Sequence, residues 1–473
     1  MKATYSTSRG NERFFDTDNF YKDIAMMMAE ESLSDAPMEI LAVCEKGAVK
    51  YKMIERSDSM FITEELNTVD TEVADTDLSE CMLTCVNAEK NQYKYYRLIP
   101  KGDTVTAKYG RMGAEKGQLF GERECSYSIT MFWVKYYEKL AKGYCDKTSF
   151  YITEKTEVIS SEKEEKPSCQ TLSRKLFSTL YGFARNAVRR ARVNVPITRE
   201  IIEESERLLD EMRKAETVDS FNRYLLELIA ILQRPIGVGR RGVKSIIADS
   251  DRDFSRIITR ESDLITAMDG ILAKREGRST EAIGDFDNME VYIATDRQKE
   301  QVMRHLSDTL KAKVKTVYRV IPGEQKKCFD RYIEKNGIEK VRLLWHGSRN
   351  QNWLSIMQSG LSLNPNAQIN GKMFGYGIYF APSSAKSWNY TSYRGTHWAR
   401  GTEDVAYMGL YAVAYGKPLD VYNWNDHPSY DKALLEKHGC NSLHAHKGVS
   451  LHNDEIIVYD ESAVLLQYIV EFQ

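Results

Sequence analysis

The period of the apolar residues changes from helical to strand-like near residue 285, and that change limits what the chain can fold into. Ile201, Ile202, Leu208, Leu209 and Met212 share one helical face, as do Leu264, Ile265, Met268, Ile271 and Leu272. Between them, Thr217 is placed to cap a helix whose face is Val218, Phe221, Leu225, Leu228, Ile229 and Leu232. From about residue 285 the pattern turns to strands, expected at 289–293, 314–321, 341–345, 377–381, 406–415, 455–459 and 463–472. A capping box at Thr295 and Gln298 opens a helix after the first of them. Packed helices followed by an α+β block cannot share one layer pattern, so the chain is multidomain. Its 473 residues leave room for about three domains.

The front of the chain has a different texture. Tyr93, Tyr95, Arg97 and Ile99 alternate as in a strand, a second strand is expected at 105–108, and YGRMG (109–113) follows. With a helical stretch expected at 127–140, residues 81–153 predict a small sheet carrying one helix. Residues 154–169, which include SSEKEEKPS, read as a linker. In 1–80, two short strands are expected at 38–43 and 49–54. Asp70, Glu72, Asp75, Asp77 and Glu80 then read as a solvated linker, and the role of this first segment is open.

Composition excludes several classes. With 42% hydrophobic and 28% charged residues the chain is neither wholly disordered nor collagen-like. A net charge of -2, from 66 basic and 68 acidic residues, means that nucleic-acid binding would need a local patch. The most apolar run, 224–232, is interrupted by Glu227 and is too short for a bilayer. The start, MKATYSTSRGNERFF, lacks the apolar core of a secretory signal, so an intracellular protein with no membrane partner is expected. Eight cysteines are scattered, with only Cys81 and Cys85 close together, the pattern of reduced thiols.

Three local patterns are weighed against blander readings. Gly237, Gly239 and Gly242 spell a dinucleotide fingerprint, but a helix precedes them where a strand is required, so they read as an interhelical loop. His438, Cys440, His444, His446 and His452 match no zinc-finger spacing and read as surface or hydrogen-bonded loop residues, without metal. Arg185, Arg189, Arg190 and Arg192 read as the solvated face of a helix.

Four pieces of the last domain carry the chemistry. LLWHGSRNQN (343–352) runs a strand into His-Gly-Ser, and MFGYGIYFA (373–381) is a glycine-rich turn entering a strand. SAKSWNY (384–390) reads as a short helix, and NDEIIVYD (453–460) has Glu455 opening a strand. Together they resemble the catalytic domain of the poly(ADP-ribose) polymerases, over 285–473 and in family order. The resemblance places that family's His-Tyr-Glu triad on His346, Tyr379 and Glu455. YGRMG with its flanking strands resembles the WGR domain of the DNA-dependent members, with Tyr109 where the tryptophan stands. The helical block sits where their autoinhibitory helical domain does. The resemblance therefore implies a multidomain α+β chain: a WGR-like sheet domain at 81–153, an all-α regulatory domain at 170–280 and a mixed α+β ADP-ribosyltransferase domain at 285–473.

That resemblance implies NAD as substrate, cleaved between nicotinamide and ribose through an oxocarbenium-like state. A primary carboxamide is best held by one backbone N–H and one backbone C=O, and Gly347 permits that close approach. Ser387 can donate a further hydrogen bond to the carboxamide oxygen. Tyr390, three residues on along the same helical face, can stack on the ring, with Tyr379 on the other side. By the resemblance, His346 and Ser348 bind the adenosine ribose hydroxyls. Glu455 can accept from the 2′-hydroxyl of the nicotinamide ribose, stabilise charge at C1′ and orient an acceptor hydroxyl. No metal is required. In the WGR-like domain, Tyr109 can stack on a terminal nucleotide and Arg111 can bind phosphate, which makes DNA ends a partner. Two departures from the family bear on specificity: Ser362 stands where DNA-dependent relatives carry arginine, and the chain between Tyr415 and Glu455 is shorter than in large nuclear relatives.

The expected function is an NAD-dependent poly(ADP-ribose) polymerase, activated by DNA breaks, that modifies protein acceptors including itself. The alternatives are a mono-ADP-ribosyltransferase, or a non-catalytic module that binds DNA ends and NAD. The nucleus is the expected location for a eukaryotic source, the cytoplasm for a bacterial or viral one.

Overall fold

The computed structural model describes residues 1–30, 38–57, 60–68, 78–113, 120–151, 172–192, 196–236, 242–276, 289–363 and 373–473. The linker read at 154–169, the acidic residues Asp70, Glu72, Asp75 and Asp77, and Gly237 and Gly239 lie outside them. The chain forms two compact units, one of Met1–Ser160, Arg192–Pro196 and Asn222–Ile247, the other of Ser161–Ala191, Ile197–Phe221 and Ala248–Gln473.

The first unit contains two five-stranded antiparallel sheets. The front one runs Glu12–Asp16, Lys2–Thr7, Met38–Cys44, Gly47–Ser57 and Met60–Thr68 in spatial order. Met38, Ile40, Ala42 and Cys44 alternate inward, the period-2 signal that makes this strand legible. Lys2–Thr7 alternates too, but its inward residues are Ala3, Tyr5 and Thr7, a weak apolar signal that sequence reading passes over. The helix Phe20–Glu30 buries Phe20, Tyr21, Ile24, Ala25 and Met28.

The second sheet runs Cys145–Asp146, Cys81–Asn87, Gln92–Lys101, Thr104–Arg111 and Arg123–Ser128, with the helix Phe132–Ala141 packed on it. The helix is therefore shorter than the expected 127–140. Tyr127 belongs to an edge strand opposite Val105, and its aromatic ring extends the apolar run that imitates a longer helix.

In this unit, side chains meet the carbonyls that end the helix Val218–Leu232, where the backbone runs out of intrahelical donors; Ile229 alone of those named below also accepts from the Gln233 N–H, at 2.9 Å. The Tyr93 hydroxyl donates to the Ile229 carbonyl (3.3 Å) and the Tyr151 hydroxyl to that of Ile231 (2.8 Å). Arg192 Nε donates to the Leu232 carbonyl at 2.9 Å. Arg192 is thus buried inside the unit, while Arg189 and Arg190 are exposed as a solvated face requires. Gly242, third glycine of the apparent fingerprint, faces Asn91, whose Oδ1 accepts from the Val243 N–H. A Cβ at 242 would lie 1.8 Å from that oxygen, so this glycine admits a side chain of its own unit.

The second unit joins helices to two sheets. Thr198 caps Arg199–Lys214, which buries Ile201, Ile202, Leu208, Leu209 and Met212 as expected. Phe254–Glu276 is the long helix carrying Leu264 to Leu272. One antiparallel sheet runs Met289–Ile293, Val314–Pro322, Val464–Phe472, Ala406–Ala414 and Val341–Gly347. The other runs Ile378–Phe380, Glu455–Val458, Ser442–Ala445 and Pro418–Val421, its last pair parallel. Every strand expected after 285 is present. Ser442–Ala445 and Pro418–Val421 are added, each too short to display a period, and His444, read as a loop histidine, lies in the first of them. Among the described residues no helix is long and apolar enough to cross a membrane.

Candidate active site

A cleft of about 490 Å³ in the second unit is lined by His346, Gly347, Ser348, Tyr379, Ser387, Tyr390 and Glu455, seven residues singled out in the sequence. They arrive on separate elements whose pairing fixes their spacing. His346 and Gly347 end a strand held by Ala406–Ala414, with His346 opposite Gly409. Tyr379 sits between Ile378 and Phe380 and pairs with Ile457, two residues along from Glu455.

His346 is half-buried, packed among the rings of Trp353, Phe380 and Tyr411. Its Nδ1 lies 3.1 Å from the Tyr379 carbonyl, which can only accept, so Nδ1 carries the proton. Burial pushes its pKa below the ordinary value, with the Tyr379 carbonyl opposing. A neutral ring protonated at Nδ1 leaves Nε2 as an acceptor for a hydroxyl. Ser348 Oγ accepts from Asn352 Nδ2 at 3.1 Å and keeps its own O–H as donor.

Gly347 has no room for a side chain: a Cβ would stand 1.9 Å from the Ser387 carbonyl oxygen. The strand and the short helix Ser384–Trp388 are in backbone contact here, the close approach expected of the glycine. The Ser387 hydroxyl donates to the Trp345 carbonyl at 3.0 Å, so it must rotate to reach a ligand. Tyr379 is fixed by its hydroxyl, which donates to the Gly375 carbonyl (2.8 Å) and accepts from the Phe374 N–H (3.1 Å). Its ring is thereby held as a wall. Tyr390 faces Trp398 at 6.5 Å between ring centroids, and burial followed by the Glu455 charge pushes its phenol up to about 12.

Glu455 is 7% exposed. Lys386 Nζ pairs with its Oε1, and its Oε2 has no hydrogen-bond partner among the described residues. Burial raises its pKa above the ordinary carboxylate value, and Lys386 opposes that rise. A buried acceptor without a partner on the wall of a cleft is an arrangement for a ligand's donor. Lys386 stands inside SAKSWNY, where the sequence assigns it no role. Its signal was its place directly before Ser387, on the helix that faces Glu455. Trp398 was missed outright, since a lone tryptophan in a loop carries no pattern.

Helical residues line the same cleft. Glu206, Asp263 and Asp269 add carboxylates to it. Asp263 accepts from Arg349 Nε (2.7 Å) and Asn352 Nδ2 (2.9 Å), and Asp269 from Arg199 (3.0 Å) and Ser355 (3.1 Å).

In the first unit, Tyr109 stacks on Tyr96 at 5.7 Å. Arg111 is buried and donates to the Asn91 carbonyl (3.0 Å) and side-chain oxygen (3.2 Å). The groove beside them is lined by Lys90, Lys94 and Arg123, a local basic patch in a chain whose net charge is -2.

Residues 293–473 match the family description "Poly(ADP-ribose) polymerase catalytic domain". The chain is similar to the poly(ADP-ribose) polymerase-like protein 100L of Invertebrate iridescent virus 6, 30% identical over 161 residues that cover 33% of this chain and 83% of that protein. It is also similar to poly(ADP-ribose) polymerase 2 of Homo sapiens, 32% identical over 178 residues, 30% of this chain and 29% of that protein. Poly(ADP-ribose) polymerase of Sarcophaga peregrina is 27% identical over 202 residues, 39% of this chain and 20% of that protein. The matched region therefore spans most of the viral relative but less than a third of the human and fly proteins.

Proposed function

Because the chain belongs to the poly(ADP-ribose) polymerase family and is an NAD-dependent ADP-ribosyltransferase, we propose that it builds poly(ADP-ribose) on protein acceptors, itself among them, in response to DNA ends. The observation that carries polymer synthesis is Glu455: a buried carboxylate on the wall of the cleft, steadied through one oxygen by Lys386, with no hydrogen-bond partner for the other among the described residues.

In this reading the nicotinamide lies between Tyr379 and Tyr390, its carboxamide on the Gly347 backbone and the rotated Ser387 hydroxyl. His346 Nε2 and Ser348 take the adenosine ribose hydroxyls. The bond from C1′ to nicotinamide breaks with its electron pair on the ring nitrogen, and positive charge grows on the ribose. Glu455 accepts from the 2′-hydroxyl and opposes that charge, a role that needs no metal ion. An acceptor hydroxyl then attacks C1′ on the opposite face, and Glu455 orients it and receives its proton. Incubation with labelled NAD, with and without nicked DNA, tests the reading. A DNA-dependent ladder above the enzyme band supports it, and a single shifted band favours mono-ADP-ribosylation. No label despite NAD binding leaves a non-catalytic binding module.

The raised pKa of Glu455 gives a second expected result. The carboxylate must be ionised, so kcat/KM falls as pH drops through a value above the ordinary carboxylate range. Lys386 lowers that pKa, so Lys386→Met moves the acid limb to higher pH. A limb that stays in place in the variant would show that the pair is not coupled.

Residues 170–280 act in this reading as a regulatory domain. Glu206, Asp263 and Asp269 set negative charge against the pyrophosphate of NAD. Asp263→Asn removes one of these charges and loosens the hold on Arg349. It is expected to raise DNA-independent turnover about tenfold, within the ~5–150-fold range of ordinary couplings. Equal turnover of variant and parent without DNA would remove the helices from regulation. Residues 81–153 serve as a WGR-like DNA reader, in which Tyr109 offers a ring and Lys90, Lys94 and Arg123 offer charge to phosphates, whereas Arg111, expected to bind phosphate, is buried and spent on Asn91. The nucleus of a eukaryotic cell, or the cytoplasm of a bacterial or virus-infected one, is where such a protein would meet broken DNA.

A further inference from the structure

Ser362, found where DNA-dependent relatives carry arginine, has its hydroxyl on a carboxylate of this chain. The helix Trp353–Ser359 leads from Asn352, whose amide donates to Ser348, to Gly360, Leu361 and Ser362 on the cleft wall. Residues 361–363 lie outside any helix or strand, so no backbone ladder fixes that part of the wall. Glu461 does so from 99 positions along the chain. Its Oε1 accepts from the Ser362 hydroxyl at 3.0 Å and from the Leu363 N–H at 2.8 Å. Hydrogen bonds to a carboxylate are stronger than those to a neutral acceptor. Asp460 braces the turn that presents Glu461. Its Oδ2 pairs with Lys432 at 2.8 Å, and its Oδ1 accepts from the Ser462 N–H at 3.0 Å. The strand Glu455–Val458 thus carries the reacting carboxylate at its start and leads into the turn whose carboxylate holds Ser362 and Leu363.

We propose that Glu461 is a positioning residue for the adenosine half of NAD: it fixes Leu361 and Ser362 as a preformed wall and touches no reacting atom. A serine at 362 offers no charge to the pyrophosphate, as an arginine would. This chain gains affinity there by holding the wall in place before the ligand arrives, so that binding need not order it. The role rests on the placement of the adenosine ribose at His346 and Ser348, and it is the same whether the product is polymer or a single ADP-ribose.

The test uses the full chain and follows nicotinamide release, with ADP-ribose and nicotinamide as inhibitors that each carry one half of the substrate. Glu461→Ala should raise KM for NAD and weaken ADP-ribose by about tenfold, as if the wall stood in about a tenth of the molecules. At saturating NAD, kcat should stay within about twofold, because the lost interaction is made equally in the ground and transition states. Nicotinamide inhibition should not change. Glu461→Gln keeps an oxygen for both donors and should recover most of the loss. Ser362→Ala removes one of the two bonds and should weaken ADP-ribose by less. Combined with Glu461→Ala it should add little, since the hydroxyl has then already lost its acceptor. Equal melting temperatures would show that the wall has changed and the fold has not. Should Glu461→Ala melt lower, the affinity of Ser362→Ala for ADP-ribose decides. The role is overturned by an unchanged KM in Glu461→Ala, by an equal loss of nicotinamide inhibition, or by losses that add in the double variant. Ser348→Ala separates it from the placement beneath it: ADP-ribose affinity unchanged there as well would mean that the adenosine placement is what fails.

Discussion

Glu455→Gln is expected to slow ADP-ribose transfer by about 10²–10³-fold while NAD affinity stays within a few-fold. The asymmetry follows from where the charge sits. In the ground state the reacting ribose is neutral at C1′, and glutamine still offers an oxygen to its 2′-hydroxyl. Only as the glycosidic bond breaks does positive charge appear for the carboxylate to oppose, and only then does the acceptor's proton need a base. Calorimetric titration of NAD into both proteins, beside single-turnover release of nicotinamide, separates the two effects. If binding falls as far as turnover does, the carboxylate is a packing element paired with Lys386 and the proposed mechanism fails.

Gly347→Ala is expected to cost both binding and stability. The new methyl would meet backbone atoms, the Ser387 carbonyl oxygen at 1.9 Å and its carbon at 2.8 Å, which no rotamer change can clear. The strand Val341–Gly347 and the helix Ser384–Trp388 must move apart. Overpacking of this kind costs about 1–3 kcal/mol in stability. The same movement separates the Gly347 backbone from Ser387 and Tyr390, so the carboxamide grip and the ring stack come out of register. Nicotinamide, as a product inhibitor, should lose affinity by about 100-fold, roughly 2.7 kcal/mol. Unchanged nicotinamide inhibition would place the carboxamide elsewhere, whatever the effect on melting.

The cleft was legible in the sequence because four short pieces, each with its own residue types, all feed one slot. His346, Tyr379, Ser387, Tyr390 and Glu455 line it together. The helical faces were legible for a different reason: their period is set by burial, and Ile201 through Met212 are buried in the expected pattern. What escaped has physical causes. Lys2–Thr7 turns alanine, tyrosine and threonine inward and so gives little contrast between its faces. Arg192 looks solvated in a run of arginines, yet its guanidinium closes the end of a helix forty residues away in sequence. Lys386 is an ordinary surface lysine until Glu455 is brought beside it from 69 positions along the chain. Asp420 and His444 are neighbours only through a parallel pairing, which no local pattern announces.

That parallel pairing has an evolutionary side. Antiparallel neighbours can be joined by a tight turn whose length sets their register, so inserting a residue there shifts the sheet. Parallel neighbours must be joined by a crossover, here residues 422–441, which leaves one end of the sheet and returns at the other. A crossover can gain or lose residues at a cost that grows only slowly with length, and neither strand need slide. The stretch that ends one strand before Glu455 is therefore free to be rewritten between lineages while the carboxylate stays where it is. Descendants of one catalyst can then diverge in what they modify without first having to survive a broken active site.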